Sequence, residues 1–299
     1  MTGVLVLDKP AGMTSFHAVS ILRRLTGERK IGHTGTLDPM ATGVLPMLLG
    51  RATRAVPFLA DRLKTYEADF AFGTETDTLD STGKVLKQEN TPVSREKLLA
   101  VLPQFTGPIQ QIPPMYSALR KNGMRLYDLA RQGRTVERQA RTVTVKSLKV
   151  LEYDETARTG KLLLTCSGGT YVRTLCDDLG RALGSHGIMT GLRRTAAAGF
   201  TLQDAIPLQE AERMEQQTLL HHVLPVEQLF TDLPAVPVTQ LQAKRFCNGG
   251  GLALERLHPE IQFSGNCRVK DPAGVFLGLG APNTEKGELA VVRLFAQEG

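Results

Sequence analysis

The chain has 299 residues, 41 % of them hydrophobic, which is enough for a large domain plus a small one and too apolar for intrinsic disorder. Its 36 basic and 30 acidic residues leave a formal charge of +6, a surplus too mild to name a partner, and no run of about eighteen apolar residues occurs, so no membrane span is expected. Met1–Pro10 lacks the basic start and long apolar core of a secretory leader. The four cysteines (Cys166, Cys176, Cys247, Cys267) form no Cys-x-x-Cys pair, which fits free thiols in the cytoplasm and neither a disulfide framework nor a zinc site.

Gly3–Leu7 reads as a short strand closed by Lys9-Pro10-Ala11-Gly12. Thr14 or Ser15 then caps a helix with Phe16, Val19, Leu22 and Leu25 spaced three apart on one face. Gly32–Gly35 is a tight, glycine-bearing loop. Pro39 suits the first position of a helix, which would run to Leu49 and be ended or kinked by Pro46. Thr65–Gly73 predicts a strand, and Val93–Leu102 a helix begun by Ser94. Pro113-Pro114 breaks the chain, Asn122-Gly123 makes a turn, and a short helix over Leu126–Gln132 ends at Gly133. Thr142–Tyr153 and Lys161–Cys166 read as strands, and Gly168-Gly169 leads into a helix over Tyr171–Leu183. His221-His222 fits a solvated helix end. Leu233–Val238, with Pro234 and Pro237, predicts a linker.

Beyond it the chain is glycine-rich, with strands expected at Gln262–Val269, Val275–Leu279 and Leu289–Phe295 and a hairpin turn at Asp271-Pro272-Ala273-Gly274. A small β-barrel of about 65 residues fits. The regular strand–helix rhythm of a doubly wound parallel sheet is missing. The expected fold is therefore mixed α/β (α+β): a largely antiparallel sheet over residues 1–232, then the small barrel over 233–299.

Charge is concentrated rather than spread. Nine basic residues lie between Arg120 and Lys149 (Arg120, Lys121, Arg125, Arg131, Arg134, Arg138, Arg141, Lys146, Lys149) against only Asp128 and Glu137, so the rest of the chain is close to neutral. Such a segment is either a solvated face or the footprint of a polyanion.

The densest constellation is Gly32-His33-Thr34-Gly35-Thr36-Leu37-Asp38-Pro39-Met40-Ala41-Thr42-Gly43-Val44-Leu45. An isolated Asp-Pro is most simply a helix N-cap. Here three glycines, three threonines and a histidine surround one acid, which suggests backbone shaped to approach a ligand. It is neither a P-loop nor a Gly-x-Gly-x-x-Gly turn.

This segment resembles the catalytic motif of the bacterial tRNA pseudouridine-55 synthase family, a Gly-His-x-Gly-x-Leu-Asp-Pro-x-Ala-x-Gly-x-Leu block. Further blocks match in order: Lys9-Pro10-x-Gly12-x-Thr14-Ser15, Lys64-Thr65-Tyr66-Glu67-Ala68, Gln111-Ile112-Pro113-Pro114-Met115-Tyr116-Ser117-Ala118, Ser167-Gly168-Gly169-Thr170-Tyr171-Val172-Arg173-Thr174-Leu175 and Leu192-Arg193-Arg194. The resemblance covers residues 3 to 230. The remainder looks like a PUA domain, an RNA-binding pseudobarrel, best matched by Val275-Phe276-Leu277-Gly278-Leu279-Gly280.

The resemblance implies a pseudouridine synthase catalytic domain with an RNA-binding insertion over about 113–149 and a PUA-like domain. Its substrate would be uridine 55 in the T stem-loop of tRNA, acted on by a cytoplasmic monomer that needs no protein partner. Because the product is an isomer of the substrate, no cofactor or metal is needed. Asp38 would be the catalytic carboxylate, attacking C6 of the ring or C1′ of the ribose or taking the C2′ proton. Arg173 would hold Asp38 ionised. Tyr66 would stack on the flipped base, with base catalysis at C5 the weaker role. Tyr171 and Leu192 would wall the pocket, and His33 would enter the RNA fold where the base has left. Arg120, Lys121, Arg134 and Arg141 would contact phosphates. Two rivals remain at this stage: a non-catalytic RNA-binding protein, and a glycosidase or RNA glycosylase, which would need a second placed carboxylate.

Overall fold

The computed structural model describes residues 1–59, 62–121, 123–257 and 263–296. Its frame is a ten-stranded sheet. The strands are β1 (Gly3–Lys9), β2 (Ile31–His33), β3 (Thr42–Leu49), β4 (Lys64–Phe72), β5 (Gly107–Gln111), β6 (Arg141–Asp154), β7 (Thr159–Cys166), β8 (Gly187–Ala197), β9 (Phe200–Thr201) and β10 (Ile206–Pro207). They run in the order β10-β1-β3-β8-β4-β7-β6-β5, with β2 paired to β3 and β9 to β8. All neighbours are antiparallel except β1 with β10 and β3 with β8, as a largely antiparallel α+β fold requires.

The central strands are covered on both faces, and the alternation of side chains shows it. Leu5 and Leu7 of β1 and Leu45, Met47 and Leu49 of β3 enter one hydrophobic core. Val4 and Val6 of β1 and Val44 and Leu48 of β3 enter a second.

This corrects the helix expected from Pro39 to Leu49. Residues 42–49 form β3, buried at seven of eight positions. A continuous apolar run has no polar stripe for a helix to present to water, so periodicity alone cannot separate a short buried helix from a two-sided strand. Pro46 is tolerated just beyond the last β2 pair, His33 with Met47, where its carbonyl accepts the Thr34 N–H at 3.1 Å. Gly43 (φ 102°) lets β3 approach β8, because a Cβ there would collide with the backbone of Arg194.

The remaining expectations largely hold. Helix α1 (Ser15–Thr26) is capped by Thr14, whose hydroxyl accepts the His17 N–H at 3.0 Å, and closed by left-handed Gly27. Phe16, however, is 67 % exposed while Val19 and Leu22 are buried. Steps of three fall short of the 3.6-residue turn, so four such residues drift halfway round the helix. Ser94 caps α2 (Arg95–Val101); α3 (Leu126–Arg131) and α4 (Val172–Ala182) lie where expected, and His221-His222 is an exposed helix end. Gly123 turns with φ 81° between the short strands Arg120–Lys121 and Met124–Arg125, while Asn122 lies outside the described residues.

The C-terminal part is a five-stranded sheet of β11 (Ala235–Pro237), β12 (Leu252–Ala253), β13 (Cys267–Lys270), β14 (Phe276–Asn283) and β15 (Glu288–Leu294), in the order β11-β13-β14-β15-β12. Gln262 falls outside the described residues, and the expected strand starts at Cys267. The segment Leu233–Val238, expected as a linker, supplies edge strand β11, parallel to β13; an edge tolerates Pro237. Nor are the two parts separately packed. Phe230 lies 5.7 Å from Phe295 and 6.1 Å from Phe276, joining the C-terminal sheet to the second core. Among the described residues the four cysteines are free and no helix is long and apolar enough to cross a membrane.

Candidate active site

Asp38 sits on the loop between β2 and β3, and three residues of one N-terminal segment hold that loop. Ser15, at the start of α1, accepts the Leu37 N–H at 2.9 Å and donates to the Leu37 carbonyl at 3.2 Å. The Gly12 N–H donates to the Pro39 carbonyl at 2.8 Å. Lys9 is fully buried and its ammonium donates to the carbonyls of Pro10 (2.7 Å), Met13 (2.9 Å) and Pro39 (3.5 Å). Burial pushes Lys9 down to about 8, Arg194 adds to the fall and Asp38 opposes it. The N-terminal block from Lys9 to Ser15 is thus the cradle of the Asp38 loop.

Arg173 stands in the first turn of α4, where the helix dipole disfavours a cation. Two carboxylates compensate. Its guanidinium lies 3.1 Å from Asp38 and 3.6 Å from Asp80, and it also donates to the carbonyls of Tyr116 (2.7 Å) and Thr78 (3.4 Å). The ring of Tyr171 lies beneath it, 5.9 Å from centroid to guanidinium carbon. The end of α4 is in turn held by buried Gln111, which accepts the Tyr171 N–H at 2.7 Å and donates to the Tyr171 carbonyl at 3.1 Å.

The Asp38 side chain is 38 % exposed, walled by protein on most sides and open at the mouth. Burial raises it above the ordinary carboxylate range; Arg173 and Lys9 oppose that rise and Asp80 adds to it. Asp80 is different in kind. Only 4 % exposed, it accepts at one oxygen from Thr78 (2.8 Å), the Thr82 hydroxyl (2.6 Å) and the Thr82 N–H (3.0 Å). With one oxygen held by three donors and the other 3.6 Å from Arg173, so buried a carboxylate is a support for Arg173, which disfavours the two-carboxylate glycosidase.

Tyr66 is buried on β4 beside the loop, paired in register with Arg194 of β8. Burial raises the phenol; Arg194 draws it back. His33, half-buried on β2, is pushed down by burial and then by Arg194 and Lys64, so it is neutral near pH 7. Leu192 is half-buried on β8 and packs against the first core.

Arg120, Lys121 and Arg134 are exposed on a satellite around Met115, Leu126 and Leu129, with Arg125 and Arg131 flanking the Tyr127 ring at 5.7 and 5.5 Å. Arg141, Lys146 and Lys149 lie on β6 of the large sheet instead, so the protruding part of the basic segment ends near residue 140.

Sequence reasoning missed Asp80, Lys9, Gln111 and Arg194 as parts of the site. The dense polar run Thr76-Asp77-Thr78-Leu79-Asp80-Ser81-Thr82, with Leu79 at φ 62°, was the available signal for Asp80.

Residues 23–172 match the model for the N-terminal domain of the TruB family of pseudouridylate synthases, and 173–231 match that for the tRNA pseudouridylate synthase B C-terminal domain. The chain belongs to the TruB family. It is 40 % identical over 302 residues to tRNA pseudouridine synthase B of Pseudomonas putida, covering all of this chain and 97 % of that one. The corresponding protein of Clostridium perfringens is 38 % identical over 289 residues, covering 96 % and 97 %. Among solved structures, a Cbf5-Nop10-Gar1 complex matches with a TM-score of 0.73 at 26 % identity, covering 98 % of this chain and 84 % of that one. An H/ACA RNP bound to a substrate RNA containing 2′-deoxyuridine matches with a TM-score of 0.73 at 25 % identity, covering 99 % and 85 %. These likenesses make the protein an enzyme of the pseudouridine synthase class, an isomerase.

Proposed function

We propose that this enzyme converts uridine 55 in the T loop of tRNA to pseudouridine, with Asp38 triggering cleavage of the glycosidic bond. The observation that carries this reading is the partly open Asp38 carboxylate, 3.1 Å from a buried arginine that a second acid holds in place. The N1–C1′ bond breaks, the uracil turns, the C5–C1′ bond forms, C5 gives up its proton and N1 gains one. Asp38 starts this sequence by attack at C6 or C1′ or by taking the C2′ proton. Tyr66 stacks on the base; Tyr171 and Leu192 line the pocket; His33, neutral, fills the vacancy left by the flipped nucleotide. Nothing in the sequence of bonds consumes a redox equivalent, so neither cofactor nor metal is called for. The protein acts as a monomer in the cytoplasm, residues 1–232 supplying the catalysis and 233–299 a PUA-like hold on the RNA.

The direct test is tRNA transcript carrying tritium at C5 of uridine, with product mapped by position. Release confined to position 55 supports the assignment; release elsewhere, or free uracil, overturns it.

Acid sensitivity follows from the raised Asp38. The catalytic form is the carboxylate, so the rate falls as pH drops through the Asp38 pKa, and that pKa lies above the ordinary aspartate value of about 3.9. A pH series of single-turnover rates is expected to show its acid limb above that value. A limb at or below it contradicts the prediction.

Affinity is a separate matter. Changing Arg120, Lys121 and Arg134 together to Gln is expected to flatten the dependence of log K on log salt by roughly one unit for each phosphate no longer neutralised. Filter binding between low and moderate salt measures this, and an unchanged slope removes these residues from the interface.

A further inference from the structure

Among the described residues Arg194 is the largest side chain with no exposed surface, and it has no carboxylate partner there. A guanidinium taken out of water without a counter-charge is costly unless its donors are well used. They are. Its Nε donates to the Val44 carbonyl at 2.7 Å, Nη2 to the Gly35 carbonyl at 3.0 Å and Nη1 to the Thr36 carbonyl at 3.5 Å. Gly35 and Thr36 precede Asp38 and Val44 follows it, so one planar group ties both ends of the Asp38 loop. The same residue is the register partner of Tyr66 in the β4–β8 ladder, which sets its guanidinium on the same face as the phenol.

Burial disfavours a phenolate at Tyr66, and Arg194 is the group that offsets this.

We propose that Arg194 is a positioning residue that sets the placement of Asp38 relative to Tyr66, bracing the loop of one with a rigid fork from the strand position paired with the other. The inference rests on the proposed roles of Asp38, which triggers cleavage, and Tyr66, which stacks on the base. Because Arg194 has no exposed surface, it cannot touch RNA, and its loss acts on the rate of the chemical step and not on affinity. Lysine cannot substitute, since one ammonium does not reach both flanks of the loop together.

The test compares wild type, Arg194→Lys and Arg194→Met. In single-turnover reactions on C5-tritiated tRNA, Arg194→Lys is expected to lower the saturating rate by about 100-fold, the scale of a misplacement near one ångström, with Kd for tRNA held within about threefold. Arg194→Met falls further. In a Tyr66→Phe background the Arg194→Lys loss shrinks, because part of what it disrupts is already gone.

Hydrogen exchange on the free enzyme supplies an arm that needs no substrate. Arg194→Lys is expected to speed exchange at residues 34–41 by at least about tenfold and leave the β6–β7 ladder at the wild-type rate. A wild-type saturating rate in Arg194→Lys overturns the inference, and so does a weakened Kd with an unchanged saturating rate. Unchanged exchange over 34–41 overturns it too, even if wild type proves silent at position 55, a result that by itself would sink only the substrate assignment.

Discussion

Asp38→Asn is expected to stop pseudouridine formation, lowering the single-turnover rate by at least about 10⁴-fold while tRNA affinity stays within about threefold. Asn keeps the shape of the side chain and removes the charge proposed to start the reaction. Folding should not suffer. Burial raises the Asp38 pKa above its unfolded value, so near neutral pH its ionised form costs stability and adds none; Arg173 retains Asp80 and two carbonyls when the charge is gone. The unfolding midpoint is therefore expected at or slightly above that of wild type. Tritium release, filter binding and urea unfolding on one preparation check all three statements. Product at the wild-type rate would move the trigger to another residue, and a large loss of stability would mean that Asp38 holds the loop and does more than react.

Arg173→Met is expected to fail differently, in activity and stability together. Its removal leaves Asp80, 4 % exposed, without its cation, and breaking a buried pair in this way costs about 3–5 kcal/mol. It also frees Asp38 to rise further, so the acid limb of the rate profile should move to higher pH. The double change Arg173→Met with Asp80→Asn should recover part of the stability and none of the activity, because it removes the stranded charge without restoring the partner of Asp38. Urea unfolding measures the first and single-turnover rates the second. If Arg173→Met unfolds like wild type, the guanidinium is not the counter-charge that this geometry makes it.

Legibility differed by the range of the interaction. The caps at Thr14 and Ser94, the short helix ended by Gly133 and the hairpin turn at Asp271–Gly274 are local events, set by groups within about four residues, and they were readable. The Gly32–Leu45 block stood out by its density of glycine and hydroxyl around one acid, and the other blocks were readable as chemistry through their resemblance to the family. Residues 42–49 were misread because a two-sided strand and a buried helix share one apolar pattern. Their strand character comes from β1 and β8, more than thirty residues away on either side. Phe16 was misplaced by treating a spacing of three as a face.

What the sequence alone determined was the family and the class of reaction, and it singled out Asp38 as the acid proposed to react. These follow from residue types in order, which folding does not alter. Only the tertiary structure decided why that acid is poised. Asp80 reaches Arg173 across 93 positions, Lys9 reaches Pro39 across 30, and Arg194 reaches the loop carbonyls across 150 or more. A buried cation is tolerable only where its donors find acceptors. Backbone carbonyls carry no mark in a sequence, so the partners that make Lys9 and Arg194 stable inside this site become visible only when the sheet brings them together.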